Sequence, residues 1–266
     1  MCDKLYADAE GKKELKPEDV IIPAIPPTPT PTPTPTPSPE PKWDKGTVEE
    51  PSASSETVIT YVNENNPEET KTEVVPVLLA ELKSTGKNSL TMKWSKEPLA
   101  DGYDIFFAKC NNNESKSVCK LVKTIKNNNT VKWSKSKLKK GTCYKGYVKA
   151  YRMVDGKKEY IATSYTAHSI TGNSNKSYTN VKSLSLKKKK LSLSKGASAT
   201  VSVKIKKAKA GKKLIAHSDK IRYATSDSKI ATVSRKGKIT AVSEGKCKIY
   251  VIGVNGVRTT VNVTVK

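Results

Sequence analysis

From about residue 77 onward the chain alternates apolar and polar residues in short runs, and no run carries a helical period of useful length. Leu90, Met92 and Trp94 share one parity. So do Tyr103, Ile105 and Phe107, and later Tyr144, Val148 and Ala150, with Gly146 among them. A period of two places such residues on one face of a strand and the polar residues between them on the other. Turn-forming residues punctuate the runs at 84–87, 100–102, 111–113, 127–129 and 155–156, where Gly, Asn and Asp supply the backbone conformations that reversals need. Many short strands separated by such turns define an all-β chain, and the expected layer architecture is a pair of β-sandwiches in tandem.

Proline and charge set the outer boundaries. All 15 prolines lie at or before Pro98. Residues 1–75 carry 15 acids against 7 lysines, a net of −8, whereas residues 76–266 carry 42 Lys and Arg against 10 acids, a net of +32. The expected organisation is a disordered segment over 1–25, a Pro/Thr-rich linker over 26–41, an acidic low-complexity linker over 42–75, and two modules over 76–173 and 174–266. Proline fixes φ and removes a donor, so 26–41 is expected as a polyproline II rod, roughly 50 Å long when extended. Within 42–75 the run from Val58 to Val62 is strand-like, but alone it buries too little to offset its ordering entropy. The two modules are separated by a polar joint at 172–177, and each is expected to fold by itself.

The start of the chain leaves two readings open. Met1 to Tyr6 supplies no apolar core for a secretory leader, so the chain either is cytosolic or begins inside a longer precursor, with Cys2 a candidate lipid-bearing residue. No stretch of about 18 apolar residues exists, which excludes a membrane-spanning helix.

Two family resemblances sharpen this. Residues 76–173 resemble a fibronectin type III domain: Trp94 stands where that family keeps a core tryptophan, Tyr103 opens the match Asp101-Gly102-Tyr103-Asp104-Ile105, and Leu138-Lys139-Lys140-Gly141-Thr142-Cys143-Tyr144 is similar to the family's Leu-x-x-Gly-Thr-x-Tyr corner. The resemblance implies structural core roles for Trp94, Tyr103 and Tyr144, with the Tyr144 hydroxyl bonded back to nearby main chain. Lys140 replaces a proline common in the family, and no Arg-Gly-Asp tripeptide occurs. Residues 174–266 resemble the bacterial immunoglobulin-like domain of group 2. The stretch Ile230-Ala231-Thr232-Val233-Ser234-Arg235-Lys236-Gly237-Lys238-Ile239-Thr240-Ala241, followed by Gly245, carries that likeness. Members recur as tandem modules on bacterial surface and secreted proteins, some of them adhesins, so the resemblance implies an extracellular or cell-surface location.

Candidate chemistry is sparse. No Cys-x-x-Cys pair occurs among Cys2, Cys110, Cys119, Cys143 and Cys247, and His168 and His217 are the only histidines; no metal site and no cofactor are expected. Cys110 and Cys119 flank a hairpin and form the leading disulfide candidate, alongside a Cys110–Cys143 pair and a state with every thiol free. Cys247 shares parity with Ile249 and Val251 and reads as a small core residue. His217 and Asp219 read as a polar insertion. With no nucleophile elbow and no phosphate loop, no enzyme activity is expected. Of 49 cationic residues 45 are lysine. Arginine is the side chain that forks onto bases and phosphates, so no specific nucleic acid is expected, and the run Lys187 to Lys190 reads as a solvated strand connection. The expected protein is a monomeric, non-catalytic surface or secreted module that acts as a spacer or presenter. Anionic cell-wall or host glycans are its expected partners. The rival readings are an accessory tail of a secreted hydrolase and a carbohydrate-binding module, with Trp133 as the one platform candidate for the latter.

Overall fold

The computed structural model describes residues 40–110 and 118–266. The expectations for 1–25, for most of the Pro/Thr rod and for Cys2 lie outside the described residues. What is described is built from strands and short turns.

The first module packs three strands on four. Ala80–Gly86, Ser89–Trp94 and Lys132–Lys135 form one sheet, in that order. The other runs Lys157–Thr163, Cys143–Val154, Gly102–Lys109, Lys120–Ile125. Ala167–Ile170 continues the outer edge by pairing with the first residues of Cys143–Val154. The inward parity of each strand fills the space between the sheets: Leu82, Leu90, Met92, Tyr103, Ile105 and Val148 are fully buried. Trp94 meets Tyr103 edge to face at 5.4 Å, and Phe107 stacks on Tyr144 at the same distance. The Tyr144 hydroxyl accepts a hydrogen bond from the Lys139 N–H at 3.1 Å, closing a corner over 138–144.

The second module places Lys190–Leu193, Arg258–Val265, Gly245–Gly253 and Ile221–Thr225 in one sheet. Against it stand Ser198–Thr200, Lys238–Ala241 and Ala231–Val233, with a separate ladder of Val181–Leu186 and Val203–Lys207. Its core is small and aliphatic: Ala231, Ile239, Cys247, Ile249, Val251, Val261 and Val263. The hairpin at 234–237 needs its glycine twice over. Gly237 has φ of +78°, and a Cβ there would stand 2.6 Å from the Tyr223 ring.

Residues 42–75 depart from the expected linker. Thr57–Asn63 pairs antiparallel with Asn66–Val75 along nearly its whole length and with Thr47–Val48 on its other edge. Ile59 and Val75 are buried in the first module's core, with Val48 and Tyr61 against it. That burial offsets the ordering entropy the isolated run cannot meet, at about 1.5–3 kcal/mol for each fully buried aliphatic side chain. Arg152 fastens the sheet from the first module, donating to the Gly46 carbonyl at 2.7 Å. From the second module, Thr225 N–H donates to the Ser54 carbonyl at 2.9 Å and Ser228 N–H to Glu56 at 2.7 Å.

The two modules are likewise joined more closely than separate beads. The turn at 253–257 of the second module lies against the strand Ala80–Gly86 of the first, where Leu82 N–H donates to the Asn255 carbonyl at 2.9 Å. Gly256, at φ +87°, permits this approach: a Cβ would fall 2.1 Å from the Ala80 carbonyl oxygen. His168 N–H donates to the Val254 carbonyl at 2.8 Å, and Asn180 caps Ile170 by accepting from its N–H and donating to its carbonyl. Two apolar clusters span the joint, one around Leu79, Ala224 and Ile252, the other around Ile170, Val181, Ile215 and Val254. Arg222, 8% exposed, donates to the carbonyls of Thr166, Gly253 and Val254 and lies over the Tyr165 ring. Burial, with no carboxylate among these acceptors, pushes the guanidinium down to about 10, so it stays charged at neutral pH. Arg222→Ala removes one donor from each of those carbonyls and is expected to cost about 2–4 kcal/mol in urea unfolding, whereas Arg235→Ala, on an exposed ion pair with Asp219, is expected to leave the unfolding midpoint nearly unchanged.

Candidate functional site at the junction of the modules

Four side chains converge where the modules meet. Cys110 directly follows the strand Gly102–Lys109, and its N–H donates to the Cys143 carbonyl at 2.9 Å. That bond places Cys143, the first residue of Cys143–Val154, beside it with the sulfurs 3.0 Å apart. His168 enters from Ala167–Ile170, opposite Lys145 in the ladder, and its Nδ1 stands 3.5 Å from the Cys110 sulfur. The fourth group comes from the second module: His217, in the segment between Lys213–Leu214 and Ile221–Thr225, brings Nε2 to 3.0 Å from His168 Nδ1. A cleft of about 560 Å³ opens beside the cluster, lined by Ile170, Tyr178, Ile215 and His217 among others. Burial, aided by His217, Arg222 and Lys145, pushes His168 down to about 3, so its imidazole is neutral at physiological pH. The hydrogen bond with Cys110, together with burial, drives the Cys143 thiol far above the usual range.

The leading disulfide candidate is not formed. Cys110, Cys119, Cys143 and Cys247 are all thiols. The ladder between Gly102–Lys109 and Lys120–Ile125 ends where Phe107 pairs with Lys120, and the Cys119 sulfur approaches the Lys145 carbonyl. Where the sequence leads one to expect no metal site, four side chains able to hold an ion meet. His168 and His217 are 49 residues apart and on different modules, and the cysteines lie 33 apart, so no local spacing announces the cluster. The one legible hint is that Cys110 and Cys143 end adjacent strands. Trp94 is 5% exposed, and Tyr103 and Tyr144 are buried with it. Trp133 packs its ring against Phe107 in the core's margin, so it is no exposed platform.

A second surface lies on the outer face of the four-stranded sheet. Phe106 and Tyr147 stack at 4.7 Å, Lys149 lies over the Tyr160 ring and Lys158 over Tyr151. Beneath them Asp104, 1% exposed, accepts from Lys158 at 2.8 Å, from Thr124 at 2.6 Å and from Tyr160 at 2.9 Å. Burial alone raises a carboxyl, but these donors outweigh it and hold Asp104 below the usual carboxylate range. The Tyr160 hydroxyl is pushed up to about 12 by burial and by Asp104. A folded pKa below the unfolded value of about 3.9 gives stability that is present above that value and lost as pH falls through the folded pKa. Asp104→Asn is therefore expected to cost about 1.5–3 kcal/mol near neutral pH and to flatten the acid-side decline of stability measured by urea unfolding.

The family model of the bacterial Ig-like domain (group 2) matches residues 180–265. No curated protein matches the chain. Among solved structures, FN3tt is 18% identical, with 36% of this chain and 91% of that chain covered at a TM-score of 0.26. The fn3 domain of human contactin 1 is 15% identical, with 36% and 76% covered at 0.26. The FN5 domain of Drosophila Lar is 18% identical, with 35% and 89% covered at 0.24. Bacterial Ig-like domains are typical of bacterial surface or secreted proteins and are generally non-catalytic. Among the described residues no helix is long and apolar enough to cross a membrane. The second module thus matches the bacterial Ig-like domain of group 2 over 180–265, and the three-on-four strand order gives the module before it a fibronectin type III-like sandwich.

Proposed function

We propose that the protein is a non-catalytic module of the bacterial surface or of a secreted assembly, a stiff spacer that holds its neighbours apart and adheres weakly to polyanionic surfaces. The observation that carries this is the joint. Two sandwiches bonded through main chain, Arg222 and shared apolar clusters transmit force and orientation in a way that a flexible linker does not. The net charge of +32 over 76–266 supplies the adhesion. Lysine predominates, so attraction to teichoic acids or acidic glycans is fast, screened beyond about 8 Å at physiological salt, and indifferent to linkage.

One observation favours a second reading, an accessory carbohydrate-binding tail of a secreted hydrolase. The outer face with Phe106, Tyr147 and Tyr160 presents rings beside lysines, a surface that can take a sugar ring and an acidic substituent together. Chromatography of the full chain on immobilised heparin and on teichoic acid separates the two. The spacer reading expects retention on both at low salt, falling at least about tenfold by physiological salt, with Tyr147→Ala unchanged. Retention on one glycan that survives high salt and is lost in Tyr147→Ala selects the carbohydrate reading, and no retention at low salt overturns the adhesive role.

A further inference from the structure

We propose that Cys110, Cys143, His168 and His217 form a structural zinc site that fastens the second module to the first. Their donor atoms, one from each residue, all lie within 4.8 Å of one another. Around a single tetrahedral Zn²⁺ with bonds of about 2.3 Å to sulfur and 2.0–2.1 Å to nitrogen, neighbouring donors stand roughly 3.3–3.8 Å apart. The separations here are 3.0 Å between the sulfurs, 3.5 Å from Cys110 Sγ to His168 Nδ1 and 3.0 Å from His168 Nδ1 to His217 Nε2. Side-chain shifts of under about 1 Å convert one set into the other.

The donor set chooses the metal. Two thiolates and two imidazoles suit a borderline-soft dication in tetrahedral geometry, whereas calcium and magnesium take oxygen. Both thiol protons leave to solvent as the metal binds, and two thiolates then balance its charge, so the site is neutral where Cys143 and His168 are enclosed. Four protein donors leave no open coordination position, which makes the site structural rather than catalytic. Three donors sit at the ends of three strands of one sheet, in which Cys143–Val154 pairs with both of the others and holds the donors in place. The fourth crosses from the second module, so closing the coordination shell closes the joint. The adjoining cleft gives the ion its path from solvent.

The test uses the full chain, reduced, stripped with a chelator and titrated with Co²⁺ and then Zn²⁺. One Co²⁺ per chain with the visible ligand-field bands of a tetrahedral thiolate site, displaced by Zn²⁺, is the expected result. Zinc at a hundredfold excess over its dissociation constant is expected to raise the melting midpoint by about 5–10 °C. His217→Ala changes a residue outside either sheet and is expected to melt with the parent in chelator. It is expected to lose the zinc-dependent rise and to weaken binding beyond the roughly 10–100-fold that losing a supporting partner costs. Cys119→Ser, outside the set, is expected to bind as the parent does. The proposal is overturned by failure of the reduced chain to take up one metal, by binding that His217→Ala leaves unchanged, or by a Cys110–Cys143 disulfide in the isolated protein, since oxidised sulfurs cannot serve as these ligands.

Discussion

The seating of the turn at 253–257 on the strand Ala80–Gly86 is the constraint from which the rest of the arrangement follows. Only a residue without a Cβ fits at Gly256, because the Ala80 carbonyl occupies the space a side chain needs. With the turn seated, Asn255 and Val254 offer their carbonyls to Leu82 and His168, and Arg222 satisfies the acceptors that face it. The joint is therefore an extension of both hydrogen-bond ladders. A salt change that releases exposed lysines leaves these buried bonds in place.

The strands over 47–75 make the joint a three-body contact. Their apolar side fills the margin of the first module, while Ser54 and Glu56 bond to the second. Acidic composition had pointed to a solvated linker. Three of its eight acids, Glu68, Glu69 and Glu73, lie on the exposed strand Asn66–Val75 and the other five lie outside the strands, however, and the buried parity of the neighbouring strand is Thr57, Ile59 and Asn63, two of them polar. A strand whose buried face is mostly polar carries a weak alternation signal. Its stability comes from the surface it covers, which no local reading contains.

Within each module the sequence was far more legible. Single-parity runs such as Leu90, Met92 and Trp94 mark the buried faces because side chains alternate across a strand, and the Ile230 to Ala241 stretch marks the hairpin that Gly237 turns. The junction was not legible, for a physical reason. Its polar residues, Arg222, Asn180 and Asn255, find main-chain partners in distant segments, and main-chain acceptors have no residue signature. The same holds for the Cys/His cluster. Its members come from three strand ends and one loop, so only the folded register, which sets Cys110 beside Cys143, brings them together.

If the modules and the strands before them form one interlocked body, they lose structure together. Differential scanning calorimetry of the full chain tests this most directly. The account predicts a single transition whose calorimetric and van't Hoff enthalpies agree, and a single, lower transition for Gly256→Val, which strains the joint without touching either core. Two resolved transitions in the unmodified chain, with Gly256→Val shifting neither, would contradict it.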